Sequence, residues 1–402
     1  MIRRQLPAYS PVLPSRLVGA VPRCAPLTRT DPSVLSLEQH LLERYAADRA
    51  VLTGSGTQAL QLALERCKRA LGDDVVVALP AYSCYDLVTA AVGAEVRVTF
   101  YDIDPVSLAP DEESLREALA AGAGVVVAGN LYGFPLDWDA LRAVCDPQGV
   151  IVVEDAAQGL GSRWKDKEAG GLGDLSVLSF GRGKGWNGGG GGALLVRDGG
   201  RPAPEPEVSE AAPATAGLEA VVLSLAMWAL GRPELYRLPS LIPGLELGAT
   251  VYHEPEPVQA MHPVSAAIAR RHAGPSRDAG AVRAAWAERW HGAVAGGEGG
   301  GRALTPCVPL AGGASGWLRC PVLASSAEAR EERVAEAGDM GAARGYPTAL
   351  PRLPQAAALH ASGRTAVPGA ERLAATLLTL PTHPRVSDAD LEAFASVAAK
   401  AS

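Results

Sequence analysis

Residues 149–192 decide the fold: GVIVVEDAAQGLGSRWKDKEAGGLGDLSVLSFGRGKGWNGGGGG. This stretch contains two apolar, β-like runs, 149–153 and 175–180. The first run is followed directly by the acid pair Glu154-Asp155, and the second is followed by a glycine-rich loop that contains Lys184. Because parallel strands present their carboxyl ends at one edge of a sheet, we expect an acid and a lysine to lie close together there. Taken alone, such a loop is equally typical of a flexible, solvated segment.

Lys184 stands among glycines, which permit positive φ and a close approach of the backbone to a ligand. A partly desolvated lysine side chain can attack a carbonyl carbon as a free amine. The pattern therefore predicts a nucleophilic lysine, provided that other parts of the chain build a site around it.

The composition is that of a globular chain. Its 402 residues are 48% hydrophobic and 20% charged, which is enough for two or more domains with sizeable cores. The formal net charge of −7 argues against a general nucleic-acid binder and against a protein held to anionic membranes by charge. An anionic ligand must therefore be bound by local dipoles and hydrogen-bond donors.

The cysteines indicate a reducing compartment. Six cysteines, at 24, 67, 84, 145, 307 and 320, lack CxxC or paired spacing, so we expect neither a metal site nor a disulfide framework. Residues 1–20 contain no continuous apolar segment of the kind that a secretory signal needs. Apolar stretches such as 220–230 are too short to span a bilayer. We therefore expect a cytoplasmic protein without a membrane span.

Strands and helices alternate through the first half of the chain. Alternation of this kind predicts a mostly parallel sheet covered by helices on both faces. The predicted strands are 75–79, 96–100, 125–128, 150–153, 175–180 and 193–196, and the predicted helices between them are 86–92, 111–120 and 137–145. Ligands of such sheets bind at the carboxyl ends of the strands.

A short polar segment precedes the first helix of this region. Residues 53–57, Thr-Gly-Ser-Gly-Thr, lead into an apolar-periodic helix over 59–70. Small residues before a helix leave backbone N–H groups free at the positive end of the helix dipole, which suits an anion such as a phosphate. An ordinary capped helix start would have the same composition, because Ser and Thr are preferred caps.

The rest of the chain suggests a three-part organisation. We expect an N-terminal arm over 1–34, a large α/β domain over 35–245 that carries a surface insertion at 198–216, and a long helical segment followed by a small α+β domain over 246–402. The finer expectations are an interface or buried helix at 218–230, a helix over 264–295 broken or kinked at Gly274-Pro275, a hinge at 296–301, a strand over 317–323, and helices over 327–337, 369–377 and after 387.

The strand-end features match the requirements of one cofactor. A Gly/Ser/Thr helix start would hold a phosphate, and an aromatic segment would lie near a ring. An aspartate would keep a ring nitrogen protonated, and a lysine would form an imine. These are the requirements of pyridoxal phosphate, whose ring acts as an electron sink when a Cα proton leaves.

Several stretches together resemble one enzyme family. They are GSGTQAL, PAYSCYDLVTAAVGAEVRVTFYDID, NLYGFPLDWDAL, VEDAAQGLGS, GGLGDLSVLSFGRGK and the later LPTHP. In these motifs the chain is similar to the DegT/DnrJ/EryC1/StrS sugar aminotransferases, which are fold-type-I enzymes dependent on pyridoxal phosphate. The resemblance covers most of residues 35–196 and extends more loosely to the C-terminal part.

The resemblance implies a fold and a set of residue roles. The fold is the aspartate aminotransferase-like PLP-dependent transferase fold, with a large, mostly parallel sheet domain and a smaller α+β domain. Lys184 becomes the Schiff-base lysine and Asp155 the partner of the pyridinium nitrogen. Gln158 lies near the phenolic oxygen of the cofactor, and Ser179 joins Gly56 and Thr57 at its phosphate.

The resemblance also locates the ring-stacking and substrate positions. Cys84 occupies the position where the family usually has an aromatic residue stacked on the ring, so Tyr82 or Tyr85 is expected to stack instead. The weaker candidates for contact with the substrate are Tyr132, His262, Tyr346 and His383.

The implied function is a homodimeric aminotransferase. It would move an amino group from glutamate or glutamine to a keto or aldehyde acceptor, on a nucleotide-linked sugar or cyclitol, in polysaccharide or antibiotic biosynthesis. Two alternatives remain. One is a PLP-dependent sugar dehydratase, although dehydratases of the family have histidine in place of Lys184. The other is a noncatalytic regulatory or scaffold protein that keeps the fold.

Overall fold

The computed structural model describes residues 4–18, 31–197, 208, 211–240, 250–295, 304–361 and 365–399. Some of the expected segments lie wholly or partly outside these ranges. The hinge at 296–301 is one of them, as is most of the insertion at 198–216 and residues 1–3 and 19–30 of the arm. The expected division into an arm and two domains stays a prediction.

The described helices agree closely with the alternating pattern of the sequence. They are α1 (Pro14–Leu17), α2 (Pro32–Tyr45), α3 (Gly56–Leu71), α4 (Asp86–Gly93), α5 (Glu112–Ala120), α6 (Trp138–Cys145), α7 (Ala216–Leu230), α8 (Pro233–Ser240), α9 (Pro263–Ala295), α10 (Ala327–Ala337), α11 (Pro354–Leu359), α12 (Pro368–Thr376) and α13 (Asp388–Ala399). Short 3₁₀ turns occupy Leu131–Gly133, Asp146–Gln148, Gly338–Met340 and Leu350–Arg352. Polar caps set several helix starts. For example, Ser55 Oγ accepts a hydrogen bond from Gln58 N, and Asp137 Oδ1 accepts one from Ala140 N.

The strands fall into three sheets. They are β1 (Arg49–Thr53), β2 (Val76–Pro80), β3 (Arg97–Tyr101), β4 (Ala123–Gly129), β5 (Ile151–Asp155), β6 (Arg163–Trp164), β7 (Lys167–Glu168), β8 (Leu175–Ser179), β9 (Gly192–Val196), β10 (Thr305–Pro306), β11 (Gly313–Ala314), β12 (Cys320–Leu323), β13 (Ala343–Arg344) and β14 (Leu377–Leu380).

The main sheet has the order β1-β9-β8-β5-β4-β2-β3. Strands β8, β5, β4, β2 and β3 pair in parallel, whereas β9 is antiparallel to both of its neighbours. The expected mostly parallel α/β sheet is therefore confirmed. The strands β2 and β9 are buried along their whole length, as expected for a sheet covered on both faces.

A second, antiparallel sheet forms in the C-terminal part, with the order β10-β12-β14-β13. Strand β14, one of its two central strands, begins where the sequence predicted a helix to end, so this strand was missed. The predicted strand over 317–323 shortens to Cys320–Leu323, because Trp317 takes a positive φ of 47° that a strand cannot contain. The three-stranded sheet β11-β6-β7 joins this part to the large sheet, since Gly313 pairs with Trp164.

The long helix α9 runs unbroken through Gly274-Pro275, so the break that the sequence predicted there does not occur, and the alternative of a kink stays a prediction. No break occurs because both halves of the helix are anchored by burial. Ala266 and Ala269 pack in a cluster beneath the main sheet, and Ala287 and Trp290 pack in the core of the second sheet. Burial on both sides outweighs the hydrogen bond that a proline removes from a helix.

The described part of the N-terminal arm packs on its own chain. Gln5 N donates to Asp339 O, and Asn187 Nδ2 reaches Ser10 O at 2.7 Å. Val12 and Leu17 are buried against α7 and α9. The arm therefore ties the glycine loop after β8 to the C-terminal part.

Helix α7 is apolar along most of its length, and it buries only part of that surface. Val221 and Ala220 are buried, whereas Leu218 is 60% exposed and Val222 is 52% exposed. Of the helices in the described ranges, none combines the length and the apolar character that a bilayer crossing requires.

Candidate active site

The acid and the lysine of the quoted stretch do meet at one edge of the main sheet. Strands β5 and β8 are parallel neighbours, with Asp155 opposite Val177. Asp155 closes β5, and the loop after β8 carries Lys184, whose backbone N donates to Gly181 O at 3.3 Å. Gly183, between them, has a φ of +74°, which explains why a glycine precedes the lysine.

The charge of Lys184 acts directly on the Asp155 carboxyl group. Burial raises the pKa of Asp155, and the positive charge of Lys184 and the N–H of Ala157 oppose that rise. The charge of Lys184 also opposes the burial that raises the pKa of the Cys84 thiol to about 12. The acid, the amine and the thiol therefore surround one site.

The other member of the acid pair has a structural role. Glu154 is fully buried, and its carboxylate accepts hydrogen bonds from Gly170 N, Leu172 N, Gly173 N and Ser176 Oγ. Successive side chains of a strand point to opposite faces, so Glu154 shapes the loop before β8 while Asp155 ends at the strand edge.

A second group forms where α3 begins. Gly56 is the first residue of α3, and a Cβ added there would lie 2.7 Å from Ser179 Cβ and 2.9 Å from Ser179 Oγ. The helix start therefore touches the end of β8, only five residues before Lys184 in the sequence. Because the N–H groups of a first helical turn lack partners within the helix, Gly56, Thr57 and the Ser179 hydroxyl can hold an anion.

Four tyrosines cluster beside the strand ends. The ring of Tyr346 stacks on that of Tyr132 with centroids 6.1 Å apart. It meets the Tyr82 ring edge-on at 5.7 Å and lies tilted against the Tyr85 ring at 6.3 Å. Tyr82 is only 1% exposed, and its hydroxyl accepts a hydrogen bond from Tyr346 N. The structure thus packs both expected ring-stacking tyrosines against Tyr346.

Gln158 is held rigidly by this tyrosine cluster. Its Oε1 accepts a hydrogen bond from Tyr132 N at 3.0 Å, and its Nε2 donates to Tyr346 Oη at 2.8 Å. An amide nitrogen carries two hydrogens, so one donor of Gln158 remains for a ligand. Tyr132 makes this bond from a positive φ of 54°, an unusual backbone conformation for tyrosine.

A cavity of about 150 Å³ lies between the large sheet and the second sheet. It is lined by Tyr132, Gln158, Arg182, Gly183, Lys184, Thr250, Leu318, Arg319, Arg344, Gly345 and Tyr346. Sequence reasoning missed the three arginines. Arg182 could have been noticed, because it stands two residues before Lys184. Arg319 and Arg344 carry no local signal, since only the tertiary fold brings them to the lysine.

The two candidate histidines are not among the residues that line this cavity. His262 lines a separate cavity of about 420 Å³ beside the glycine run 189–191, and its Nδ1 accepts a hydrogen bond from Val264 N. His383 is 3% exposed, with Nε2 at 2.8 Å from Leu6 O and Nδ1 at 3.3 Å from Arg385 N. Both of its ring nitrogens are thus engaged in anchoring the chain. Burial lowers the pKa of His383 to about 4.

The described residues contain no group of three or more His, Cys, Asp or Glu that could hold a metal ion. The five described cysteines, 67, 84, 145, 307 and 320, are all free thiols.

The chain is similar to known aminotransferases in part of its sequence. Residues 18–202 match the sequence profile of the DegT/DnrJ/EryC1/StrS aminotransferase family. L-glutamine:2-deoxy-scyllo-inosose aminotransferase of Streptoalloteichus tenebrarius is 34% identical over 161 residues, which are 38% of this chain and 38% of that protein. The matched part of the chain thus spans about two fifths of the length of such curated relatives.

Solved structures extend the likeness to the whole fold. Sugar aminotransferase CalS13 from Micromonospora echinospora is 21% identical with a TM-score of 0.74, and the likeness covers 100% of both chains. The PMP form of Spr1654 from Streptococcus pneumoniae is 20% identical with a TM-score of 0.74, over 98% of this chain and 100% of that one. The fold class expected from the sequence is confirmed.

Proposed function

We propose that this chain is a pyridoxal-phosphate-dependent aminotransferase, because residues 18–202 match the sequence profile of the DegT/DnrJ/EryC1/StrS aminotransferase family. It would take an amino group from glutamate or glutamine and pass it to a keto or aldehyde acceptor on a nucleotide-linked sugar or cyclitol. The observation that carries the proposal is the convergence of Asp155 and Lys184 with the contact between Gly56 and Ser179.

The residues present fit the cofactor. A side chain at position 56 would fill the space against Ser179, so the glycine keeps the helix start open to a phosphate. The Ser179 hydroxyl and the first-turn N–H groups are donors of the kind that bind phosphate. Asp155 and Lys184 supply the acid and the amine that a pyridine nitrogen and an aldehyde require.

Each residue then has a definite task. Bound pyridoxal phosphate supplies an aldehyde that takes up amino groups and a ring that withdraws electrons from the adjacent carbon. Lys184 Nζ would bond to the aldehyde carbon in the resting protein and, once displaced by a substrate amine, would carry the Cα proton. The Asp155 carboxylate would accept a hydrogen bond from the ring nitrogen and keep its proton there. Gln158 would donate its remaining hydrogen to the phenolic oxygen.

The named relatives support the reaction class. The protein of Streptoalloteichus tenebrarius is named for glutamine as donor and 2-deoxy-scyllo-inosose as acceptor. Spr1654 has been solved in PLP and PMP forms, the two states between which an amino carrier alternates. These names support an amino-transfer role for this chain in sugar or cyclitol metabolism, as in polysaccharide or antibiotic biosynthesis.

The proposal extends to assembly and location. A homodimer is supported by the exposed apolar side chains of α7, Leu218 and Val222, which a second copy would cover. A cytoplasmic location is supported by the free thiols of all five described cysteines. Light scattering of the purified chain checks the dimer, and a monomer at micromolar concentration would contradict it.

Trapping of the cofactor tests the proposed function. We expect pyridoxal phosphate, reduced onto the protein with borohydride, to be found by mass spectrometry on the peptide that contains Lys184. The Lys184→Ala variant should carry no label, whereas Lys167→Ala, at an exposed lysine of β7, should be labelled like the wild type. Glutamate or glutamine should convert the bound cofactor to its amine form. Equal labelling of wild type and Lys184→Ala would refute the proposal, and labelling without conversion would favour a scaffold protein.

A further inference from the structure

We propose that residues 4–12 of the N-terminal arm are a strap that sets the position of Lys184, and that Asn187 is the positioning residue through which the strap acts. This inference rests on the proposed function for the task of Lys184, and it adds the residues that hold the lysine in place. It follows from the hydrogen bonds of the loop that carries the lysine, from the burial of Asn187 and from the contacts at both ends of the arm.

The Lys184 loop, residues 181–191, is open in its first half and anchored in its second half. The two ends of the first half are joined where Gly188 N donates a hydrogen bond to Phe180 O at 2.8 Å. A Cβ added at Gly183 would meet no atom within 4 Å, so the backbone has free space at that point. Lys184 lies where the open half meets the anchored half. Its position therefore depends on how the residues that follow it are held.

Helix α9 holds the two residues that directly follow Lys184. Trp186 is 3% exposed, and its Nε1 donates a hydrogen bond to Ala269 O at 2.8 Å. Gly185 O accepts a longer hydrogen bond of 3.4 Å from Arg283 Nη2. Both partners belong to α9, so these contacts fix the loop on the side of this helix.

Asn187 connects the Lys184 loop to the arm. Its side chain is fully buried, with Nδ2 donating to Ser10 O at 2.7 Å and Oδ1 accepting from Gly189 N at 2.8 Å. Its backbone O lies 3.0 Å from His272 Nδ1. A buried amide that loses its acceptor is left with an unmade hydrogen bond, which is unfavourable away from water. Asn187 must therefore follow when Ser10 moves, so the arm and the loop are coupled.

The beginning of the arm is bound to the C-terminal part of the chain. Gln5 N donates to Asp339 O at 2.8 Å, and Gln5 Nε2 donates to Asp390 Oδ2 at 3.0 Å. Leu6 O lies 2.8 Å from His383 Nε2. Hydrogen bonds to three separate segments fix this end of the arm, so it cannot shift without breaking several of them.

Tyr9 holds the middle of the arm. It is 5% exposed, and its ring meets the His383 ring edge-on with centroids 5.7 Å apart. Arg385 Cζ lies 4.5 Å from the centroid of the Tyr9 ring, within the range of a cation–π contact. Gly231, which caps α7, leaves room for this ring, because a Cβ added there would overlap Tyr9 Cε2. These contacts join the middle of the arm to the C-terminal part and to the end of α7.

The strap therefore joins two walls of the proposed active site. One wall is the Lys184 loop, and the other is the C-terminal part, where Tyr346 follows β13. Lys184 and Tyr346 both line the cavity of about 150 Å³. A reacting group that is misplaced by about 1 Å can lose about a hundredfold in rate. By fixing the loop relative to the C-terminal part, the arm keeps the lysine amine in one place in this cavity.

Hydrogen exchange of the full chain, which needs no added cofactor, tests the coupling between arm and loop. Tyr9→Ala removes the ring that holds the arm, whereas Tyr9→Phe keeps it. We expect the amides of Gly188 and Gly189 to exchange about tenfold faster in Tyr9→Ala than in the wild type, because loss of one hydrogen bond changes a local opening equilibrium by about that factor. In Tyr9→Phe both amides should exchange at the wild-type rate.

A second variant and a control complete this measurement. Gln5→Ala loosens the beginning of the arm and should also accelerate exchange of the two loop amides, so it decides the question if Tyr9→Ala does not fold. Ser114→Ala is the matched control, because Ser114 Oγ on α5 accepts a buried hydrogen bond from Asp102 N at 2.9 Å, outside the arm and the loop. It should leave the loop amides at the wild-type rate. Circular dichroism verifies that each variant is folded.

The cofactor reports the position of the lysine itself. With pyridoxal phosphate added, Tyr9→Ala should form the borohydride-trapped label at Lys184 about tenfold more slowly than the wild type. The pH at which the absorbance of the bound cofactor changes should shift as well. Tyr9→Phe and Ser114→Ala should match the wild type in both measurements, which separates a displaced lysine from a general loss of stability.

Three results would overturn the inference. The first is wild-type exchange of the loop amides in the folded arm variants, and the second is an equal acceleration throughout the chain, which would show that the arm contributes only stability. The third is faster loop exchange with labelling of Lys184 at the wild-type rate. Failure of the proposed function is seen separately, because the wild type would then carry no label at Lys184, while hydrogen exchange still decides whether the arm holds the loop.

Discussion

Replacing Gly56 by alanine tests the contact on which the cofactor site depends. The new Cβ would lie 2.7 Å from Ser179 Cβ, 2.9 Å from Ser179 Oγ and 3.4 Å from Ser179 Cα. Because Ser179 Cβ is bonded directly to the backbone and does not move when the side chain rotates, rotation of the serine cannot relieve the 2.7 Å contact. The start of α3 and the end of β8 must move apart, and the phosphate donors move with them.

The magnitude follows from two opposing effects. Overpacking costs about 1–3 kcal/mol, and replacing a glycine within a helix stabilises by up to about 1 kcal/mol, so we expect a net loss of roughly 0–3 kcal/mol in the free energy of unfolding. Displacement of one charge-assisted hydrogen bond to the phosphate should weaken pyridoxal phosphate binding by about tenfold to a hundredfold. The expected signature is a small change in stability with a large change in cofactor affinity.

Urea unfolding followed by circular dichroism measures the stability, and titration of cofactor absorbance measures the affinity. Gly292→Ala on α9 is the control, because a Cβ there meets no atom within 4 Å. That change should raise stability by up to about 1 kcal/mol and leave cofactor affinity unchanged. Adding Ser179→Gly to Gly56→Ala should restore part of the stability but not the affinity, because the hydroxyl is lost. Wild-type cofactor affinity in Gly56→Ala would refute the reasoning.

Two further predictions concern residues that the sequence proposed for the substrate. The pKa of His383 falls on folding to about 4, so its stabilising effect is present above pH about 6.5 and is lost as the pH falls towards 4, by roughly 3 kcal/mol. His383→Gln should therefore flatten the loss of unfolding free energy between pH 6.5 and 4, and an unchanged slope would contradict this. Tyr346→Phe removes the acceptor of the 2.8 Å hydrogen bond from Gln158 and should cost about 1 kcal/mol in urea unfolding. No change in stability would show that this bond contributes nothing.

Local patterns predicted the elements that carry the acid and the lysine. Strands β5 and β8 were predicted within two residues of their observed bounds, because apolar runs between polar turns are typical of buried strands. The polar segment 53–57 predicted a helix after it, over 59–70, and the observed helix begins at Gly56 with Ser55 as its cap. These features depend on neighbouring residues alone, so they can be predicted without knowledge of the fold.

Other features depend on tertiary packing and were not predicted from the sequence. The strand β14 was missed because the sequence predicted a helix up to residue 377 and no strand after it, and only pairing with β12 and β13 makes residues 377–380 a strand. Helix α9 passes Pro275 because both of its halves are buried in separate clusters. In each case a tertiary contact outweighed the local preference.

The sequence by itself determined the alternating α/β architecture, the pairing of Asp155 with Lys184 and the cofactor chemistry that this pairing suggests. Only the tertiary structure decided that Gly56 touches Ser179, that Tyr346 holds Gln158, and that arginines from distant elements converge beside Lys184. The physical reason is how far apart in the chain the interacting residues are. Strand periodicity and turn chemistry are set by adjacent residues, whereas the shape and charge of a cavity depend on which distant surfaces pack together.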